Sequence, residues 1–218
     1  MNSSRHNRHR PLTSTLGALI FSTSLIAFAQ NGNSDGEWPS YAADAGSTKY
    51  TSLSQIDGSN FAGLEIAWRW QSIDGELDFE ALLGPGAEVG FGRLQATPLM
   101  IDGVLYLLTA LNQVVALDAV SGEELWRYDP EVYMSGVSNS PLGFHHRGVA
   151  WWREGSESRV LMTTNDGFII SLNAQTGKLD TDFAGGRIDM TNDIPRAERD
   201  LLDYTGAQPL GGVSPPTV

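Results

Sequence analysis

Sulfur does no chemistry here: the chain has no cysteine, which excludes thiolate metal sites, cysteine nucleophiles and stabilising disulfides. Other groups that bind or react fall in a few places. His145 and His146 stand side by side directly ahead of Arg147, and in themselves they read as exposed loop histidines. Neither is assigned a catalytic task. Asp180, Asp182 and Asp189 invite a metal ion by their spacing, but a turn-rich acidic surface accounts for them better. The six tryptophans read as packing residues. Trp126, four residues after Gly122, falls where a strand after a turn would dock its ring between neighbouring units. Trp68 and Trp70 flank Arg69, as on one face of a strand. Trp151 and Trp152 are adjacent, so on a strand their rings point to opposite faces.

The elements that position these side chains are short apolar runs separated by Gly, Asp and Asn. No 3.6-residue periodicity is long enough for a firm helix, and Asn60–Ile66 is the nearest helical candidate. Thr97 to Thr109 reads as two strands joined at Asp102-Gly103, a strong hairpin signal. Val114 to Trp126 reads as a strand, a turn at Ser121-Gly122 and another strand. A second copy runs from Arg159 to Lys178, with Asp166-Gly167 between strands. Asn173-Ala-Gln-Thr-Gly177 repeats Asp118-Ala-Val-Ser-Gly122 at an offset of 55 residues. Four short strands at that period indicate an all-β propeller of four-stranded blades rather than a sandwich. A partial repeat lies around Leu64 to Gln71, and another begins at Gly212 to Val218. One blade cannot cover its own apolar faces, so blades must stack. The chain is therefore expected to be a fragment holding only the first few blades.

Arg5, Arg8 and Arg10 precede an apolar run from Leu16 to Phe28, and Ala27-Phe-Ala29 carries small residues where a signal peptidase reads. Residues 1–29 are expected to be a signal peptide cleaved after Ala29. The apolar run is short of the roughly 20 residues that a spanning helix needs. Export to the periplasm follows, with membrane association left open. Residues 30–36 form a flexible polar leader, and 37–218 the propeller domain. Of 218 residues, 14 are basic and 26 acidic. Losing the three arginines takes the formal charge from −12 to −15, which repels phosphate backbones, so nucleic acid is set aside as a partner.

Several segments in order carry a resemblance. Glu37-Trp-Pro-Ser-Tyr-Ala-Ala-Asp44 through Ile56, then Ala67-Trp68, resembles the opening of the quinoprotein alcohol and glucose dehydrogenases, which use pyrroloquinoline quinone. So do Gln95-Ala-Thr-Pro-Leu99, Ala116-Leu-Asp-Ala119 with Gly122 and Trp126, and Arg147-Gly-Val-Ala-Trp-Trp152. Leu179 to Met190 is most similar to the glucose branch.

The resemblance implies an eight-bladed propeller holding the quinone and a divalent cation, usually calcium, on its axis, with an aspartate as base. It implies that Arg147 pairs with cofactor carboxylates, a task suited to its planar fork. It implies that Thr163 hydrogen-bonds the cofactor, and that Gln95 stands where the family often has a glutamate reaching the quinone. The base and the calcium ligands are expected beyond Val218. Two departures matter. The adjacent-cysteine disulfide of many alcohol-oxidising members is missing, which disfavours the methanol-dehydrogenase type. The glucose branch has a histidine near the arginine, but His145 and His146 are shifted in register.

The expectation is the N-terminal part of an exported enzyme oxidising an alcohol or sugar and passing electrons to a quinone or cytochrome acceptor. Alone, without base and metal ligands, it should be inert. The alternative is a non-catalytic propeller scaffold of the cell envelope; the Trp38 opening and the Arg147-Gly148 motif weigh against it. A degenerate gene product without function is a third reading.

Overall fold

The computed structural model describes residues 36–44, 46–90, 94–135, 143–190, 192 and 214–216. The predicted signal peptide and all of the predicted leader except Gly36 lie outside them, as does most of the repeat expected from Gly212. The described residues form two four-stranded antiparallel sheets, each with its strands in chain order. The first holds β1 Leu99–Ile101, β2 Val104–Leu108, β3 Val114–Asp118 and β4 Glu124–Tyr128; the second holds β5 Ala150–Glu154, β6 Glu157–Thr163, β7 Phe168–Asn173 and β8 Arg187–Asp189. These are the blades of a propeller. Trp38 bridges Met100 of β1 through two backbone hydrogen bonds.

Local chemistry sets each turn. Asp102 and Gly103 both have positive φ (51° and 79°), the two-residue turn that suits the twist of a hairpin. After β3, the Asp118 carboxylate accepts the N–H groups of Val120 and Ser121. After β7, Asn173 does the same for Gln175 and Thr176, and in both turns the glycine N–H returns to the carbonyl of that Asp or Asn. The 55-residue repeat is thus a repeat of hydrogen bonds as well as of letters.

The blades stack through one apolar layer. Leu99, Tyr106, Leu108 and Val114 of the first meet Val149, Val160, Met162 and Ile170 of the second, all buried. Each such side chain contributes about 1.5–3 kcal/mol by leaving water. The opposite face of the first blade, with Val115 and Leu117, is covered by Trp68 and Trp70. Those two rings share a face, as their alternation implied, although residues 64–72 form no strand.

A second tier of contacts joins the blades. Trp126 donates from Nε1 to the Ala174 carbonyl at 3.0 Å, with its ring over Gly177, where an added Cβ would stand 2.4 Å from the ring. Trp68 repeats this on the first blade, donating to the Ala119 carbonyl at 3.2 Å with its ring over Gly122. The predicted docking of Trp126 between units is what is seen.

The second blade departs from the repeat in its last strand. Val114 pairs with Tyr128, whereas Ile169, 55 residues on, pairs with Ile188. Five extra residues therefore precede β8: Leu172 still bridges Leu179, the counterpart of the Leu117–Glu124 pair, but the rungs from Ile170–Arg187 onward are displaced. Helices are few: α1 Phe79–Leu83, N-capped by Asp78, and single 3-10 turns, one of them Phe61–Gly63 within the Asn60–Ile66 candidate. Among the described residues no helix is long and apolar enough to cross a membrane.

Candidate functional site

The segment leading into β5 carries the site. Phe144 is buried and its N–H donates to the Gly90 carbonyl at 2.9 Å. His145 and His146 follow, both buried at 6 % and 1 % exposure, which corrects the expectation of exposed loop histidines. His145 Nδ1 bonds the Gly143 carbonyl at 3.0 Å. Arg147 is exposed, and its backbone carbonyl accepts the Thr97 N–H at 3.0 Å. Gly148 follows at φ 143°, with the Thr97 carbonyl 3.1 Å from where a Cβ would be. Only glycine fits that approach.

Beside this segment opens a cleft of about 650 Å³ lined by Arg147, Tyr41, Asp44, Trp151 and Ser214 among others. Asp44 brings an opposing charge, but its carboxylate is occupied by the Thr48 hydroxyl at 2.6 Å. That bond, with further donors, holds its pKa below the usual carboxylate value.

Thr163, buried at the end of β6, stands behind the cleft. Its hydroxyl donates to the Ser214 carbonyl at 2.7 Å and lies 3.0 Å from His146 Nε2. His146 Nδ1 accepts the Gly148 N–H at 3.2 Å. Burial pushes the His146 imidazole down to about 4, so the ring is neutral at physiological pH. Of the three residues singled out from sequence, Arg147 lines the cleft and Thr163 reaches it through Ser214. Gln95 is exposed and does not line it, so the three do not converge as expected.

The acidic trio near the C-terminal end of the second blade is partly spoken for. Asp180 is half-buried against Arg159, with which it forms an ion pair, and accepts from Ser171 at 3.3 Å. It is a paired group and not a free surface charge. Among the described residues no group of three His, Asp or Glu side chains is arranged to hold a metal ion.

A second polar centre, unforeseen in the sequence, lies against the β2–β3 turn of the first blade. Asp74 is 5 % exposed and accepts from Leu111 N at 3.2 Å and Gln113 Nε2 at 3.3 Å. Burial raises its pKa against those bonds. It ties the β2–β3 turn to the segment before α1.

Residues 38–218 match the family described as glucose/ethanol/alcohol dehydrogenase, beta-propeller domain, a quinoprotein (PQQ) family. The chain belongs to that family. Among curated PQQ proteins it is 35 % identical over 178 residues to the quinohemoprotein alcohol dehydrogenase ADH IIB of Pseudomonas putida, covering 78 % of this chain and 23 % of that one. It is 30 % identical over 186 residues to the quinoprotein glucose dehydrogenase of Escherichia coli, covering 78 % and 22 %. Among solved structures, the quinohemoprotein alcohol dehydrogenase of Comamonas testosteroni superposes with a TM-score of 0.57 at 26 % identity, covering 76 % of this chain and 21 % of that one. The chain thus spans less than a quarter of the length of these PQQ propeller relatives.

The residues present suit pyrroloquinoline quinone, a planar tricarboxylate. An exposed guanidinium faces a cleft of adequate size. The Thr163 hydroxyl is a donor whose proton lies on the carbonyl of Ser214, a residue that lines the cleft, so a cofactor oxygen would reach it by displacing that carbonyl.

Proposed function

We propose that this chain is the N-terminal part of an exported quinoprotein dehydrogenase that oxidises an alcohol or a sugar with pyrroloquinoline quinone. Its electrons pass to a quinone or cytochrome acceptor. The observation that carries this reading is the pairing of Arg147 in an open cleft with the Thr163 hydroxyl behind it, within a fold of this family. Arg147 would hold a cofactor carboxylate in a bidentate ion pair. Thr163 would donate to a cofactor oxygen. Gln95 retains only its resemblance and is not in the set that the geometry supports. When bound, the quinone supplies a hydride acceptor; the protein supplies binding, orientation and electrostatics. The calcium expected with it is assigned to ligands in later blades. Export rests on the signal-peptide layout of residues 1–29.

Support for the substrate class comes from relatives whose names specify alcohols, glucose and, in one case from Thauera butanivorans, 1-butanol with cytochrome c. The test is reconstitution of the cofactor-free full-length protein with pyrroloquinoline quinone, followed by quenching of tryptophan fluorescence. Saturable binding is expected, weakened about 10- to 100-fold by Arg147→Ala, the loss of one charge-assisted pair. No binding by the unaltered protein would favour the non-catalytic propeller instead. Binding that ignores the Arg147 substitution would remove that residue from the site.

A further inference from the structure

His146 is a buried group at this site that the cofactor reading leaves without a task. It lies between the two residues that reading uses. Its Nδ1 accepts the backbone N–H of Gly148 at 3.2 Å, immediately after Arg147. Its Nε2 meets Thr163 Oγ1 at 3.0 Å. A neutral imidazole has one donor and one acceptor nitrogen. Because the Gly148 N–H can only donate, Nδ1 is the acceptor and Nε2 carries the proton. Thr163 Oγ1 therefore accepts from His146, and its own proton goes to the Ser214 carbonyl at 2.7 Å. Every hydrogen position in the chain Gly148 to His146 to Thr163 to Ser214 follows from a backbone amide that cannot turn round.

Ser214 lines the same cleft as Arg147. Its carbonyl takes the proton that Thr163 donates, so a ligand oxygen would receive that proton by displacing this carbonyl.

We propose that His146 is a positioning residue: as the Nε2–H tautomer it fixes the Thr163 hydroxyl as a donor toward the cleft and clamps the Arg147-Gly148 turn. The inference rests on the cofactor reading. It goes further, because it assigns the polarity of the site to a residue that touches no ligand. A hydroxyl held as donor suits carboxylate and carbonyl oxygens and disfavours a ligand that would itself donate. With an apolar residue at 146, the hydroxyl would be free to rotate and would lose part of its preference for an acceptor.

The experiment uses the full-length protein and two readouts. In the first, cofactor-free His146→Leu, His146→Gln, Thr163→Val and the His146→Leu/Thr163→Val double variant are titrated with pyrroloquinoline quinone, and folding of each is checked by thermal melting at pH 7. His146→Leu is expected to weaken binding about tenfold. His146→Gln, which keeps an N–H donor, is expected to recover most of that loss. His146→Leu should cost nothing more once Thr163 is valine. Equal losses in the Leu and Gln variants, or additive losses in the double variant, would overturn the proposal.

The second readout needs no ligand and no folded leucine variant. Long-range proton–nitrogen NMR of histidine-labelled protein, with the His146 signal assigned through His146→Gln, is expected to give a neutral ring protonated at Nε2. A ring protonated at Nδ1, or at both nitrogens at pH 7, would refute it. Failure of the unaltered protein to bind the quinone would sink the cofactor reading, while the tautomer would still pass or fail the relay by itself.

Discussion

At the Asp118–Gly122 and Asn173–Gly177 turns the two blades are copies. In each, one side-chain oxygen accepts two backbone N–H groups. In each, a carbonyl takes an indole N–H from the preceding unit and a glycine lies under the ring. At the other end they diverge, and the ladder says where. Tyr106 and Leu161 are 55 residues apart and face Leu99 and Ala150. Counting back three and four residues, Arg147 takes the place of Ala96 and His146 that of Gln95, while Thr163 takes that of Leu108. Leu108 and Ala96 pack into the core between blades; Thr163, Arg147 and His146 make the polar relay and the cleft. The first blade uses Leu108 and Ala96 for cohesion, whereas in the second the same places form the relay and cleft of the proposed site. Repetition marks what the fold requires, and breaks in the repetition point to the proposed site.

The comparison is broken most directly at the copied end. Gly122→Ala and Gly177→Ala each drive a Cβ to 2.4 Å from a tryptophan ring at positive φ, so each should cost about 3 kcal/mol or more in denaturant unfolding. Markedly unequal losses would mean that the two joints are not equivalent.

The divergent end is probed by acid. His146 has a folded pKa near 4 against about 6.5 for an unfolded histidine. Between those values the unfolded chain binds more protons, so stability falls as pH drops from about 6.5 to 4 and is level below. The loss amounts to about 3 kcal/mol. Asp74, packed against the first blade, works in the opposite sense: its raised pKa favours the folded state below the ordinary carboxylate value and loses that advantage as pH rises. The difference between wild type and His146→Gln isolates the histidine. A difference that does not change with pH would show that the ring is not held neutral.

The smallest effect is expected at the Asp102–Arg153 ion pair, which crosses between the blades on the surface. Both side chains are substantially exposed, so Arg153→Ala should lower stability by about 1 kcal/mol or less. A larger loss would make charge, and not the tryptophan joint, the main link at that edge.

Much of the fold was legible because its signals are local. Asp-Gly and Asp-x-x-Ser-Gly turns announce themselves, and a 55-residue offset survives differences in side chains. The five extra residues before β8 were hidden because nothing in Thr181 to Gly186 says whether a segment pairs or loops out; only the ladder register decides it. The site was half legible. Arg147, Thr163 and Gln95 came from resemblance, and that Gln95 is exposed outside the cleft was not legible because a position in a motif does not tell which way a side chain faces. His146 was missed for a different reason. Its partner Thr163 is 17 residues away across a strand pair, and its burial comes from the contacts that follow that pairing. Asp74 is the same case at a separation of 39 residues from Gln113.

The joint between blades also bears on how such chains grow. The first blade supplies a ring to its successor and a glycine seat to the segment before it, so a unit of this kind copied in the gene brings one half of each of two joints. Inserted beside its parent, the copy finds both complements already waiting, and no compensating mutation is needed for it to dock. Selection is then free to act on the other end, where Ala96 and Arg147 record two outcomes from equivalent positions.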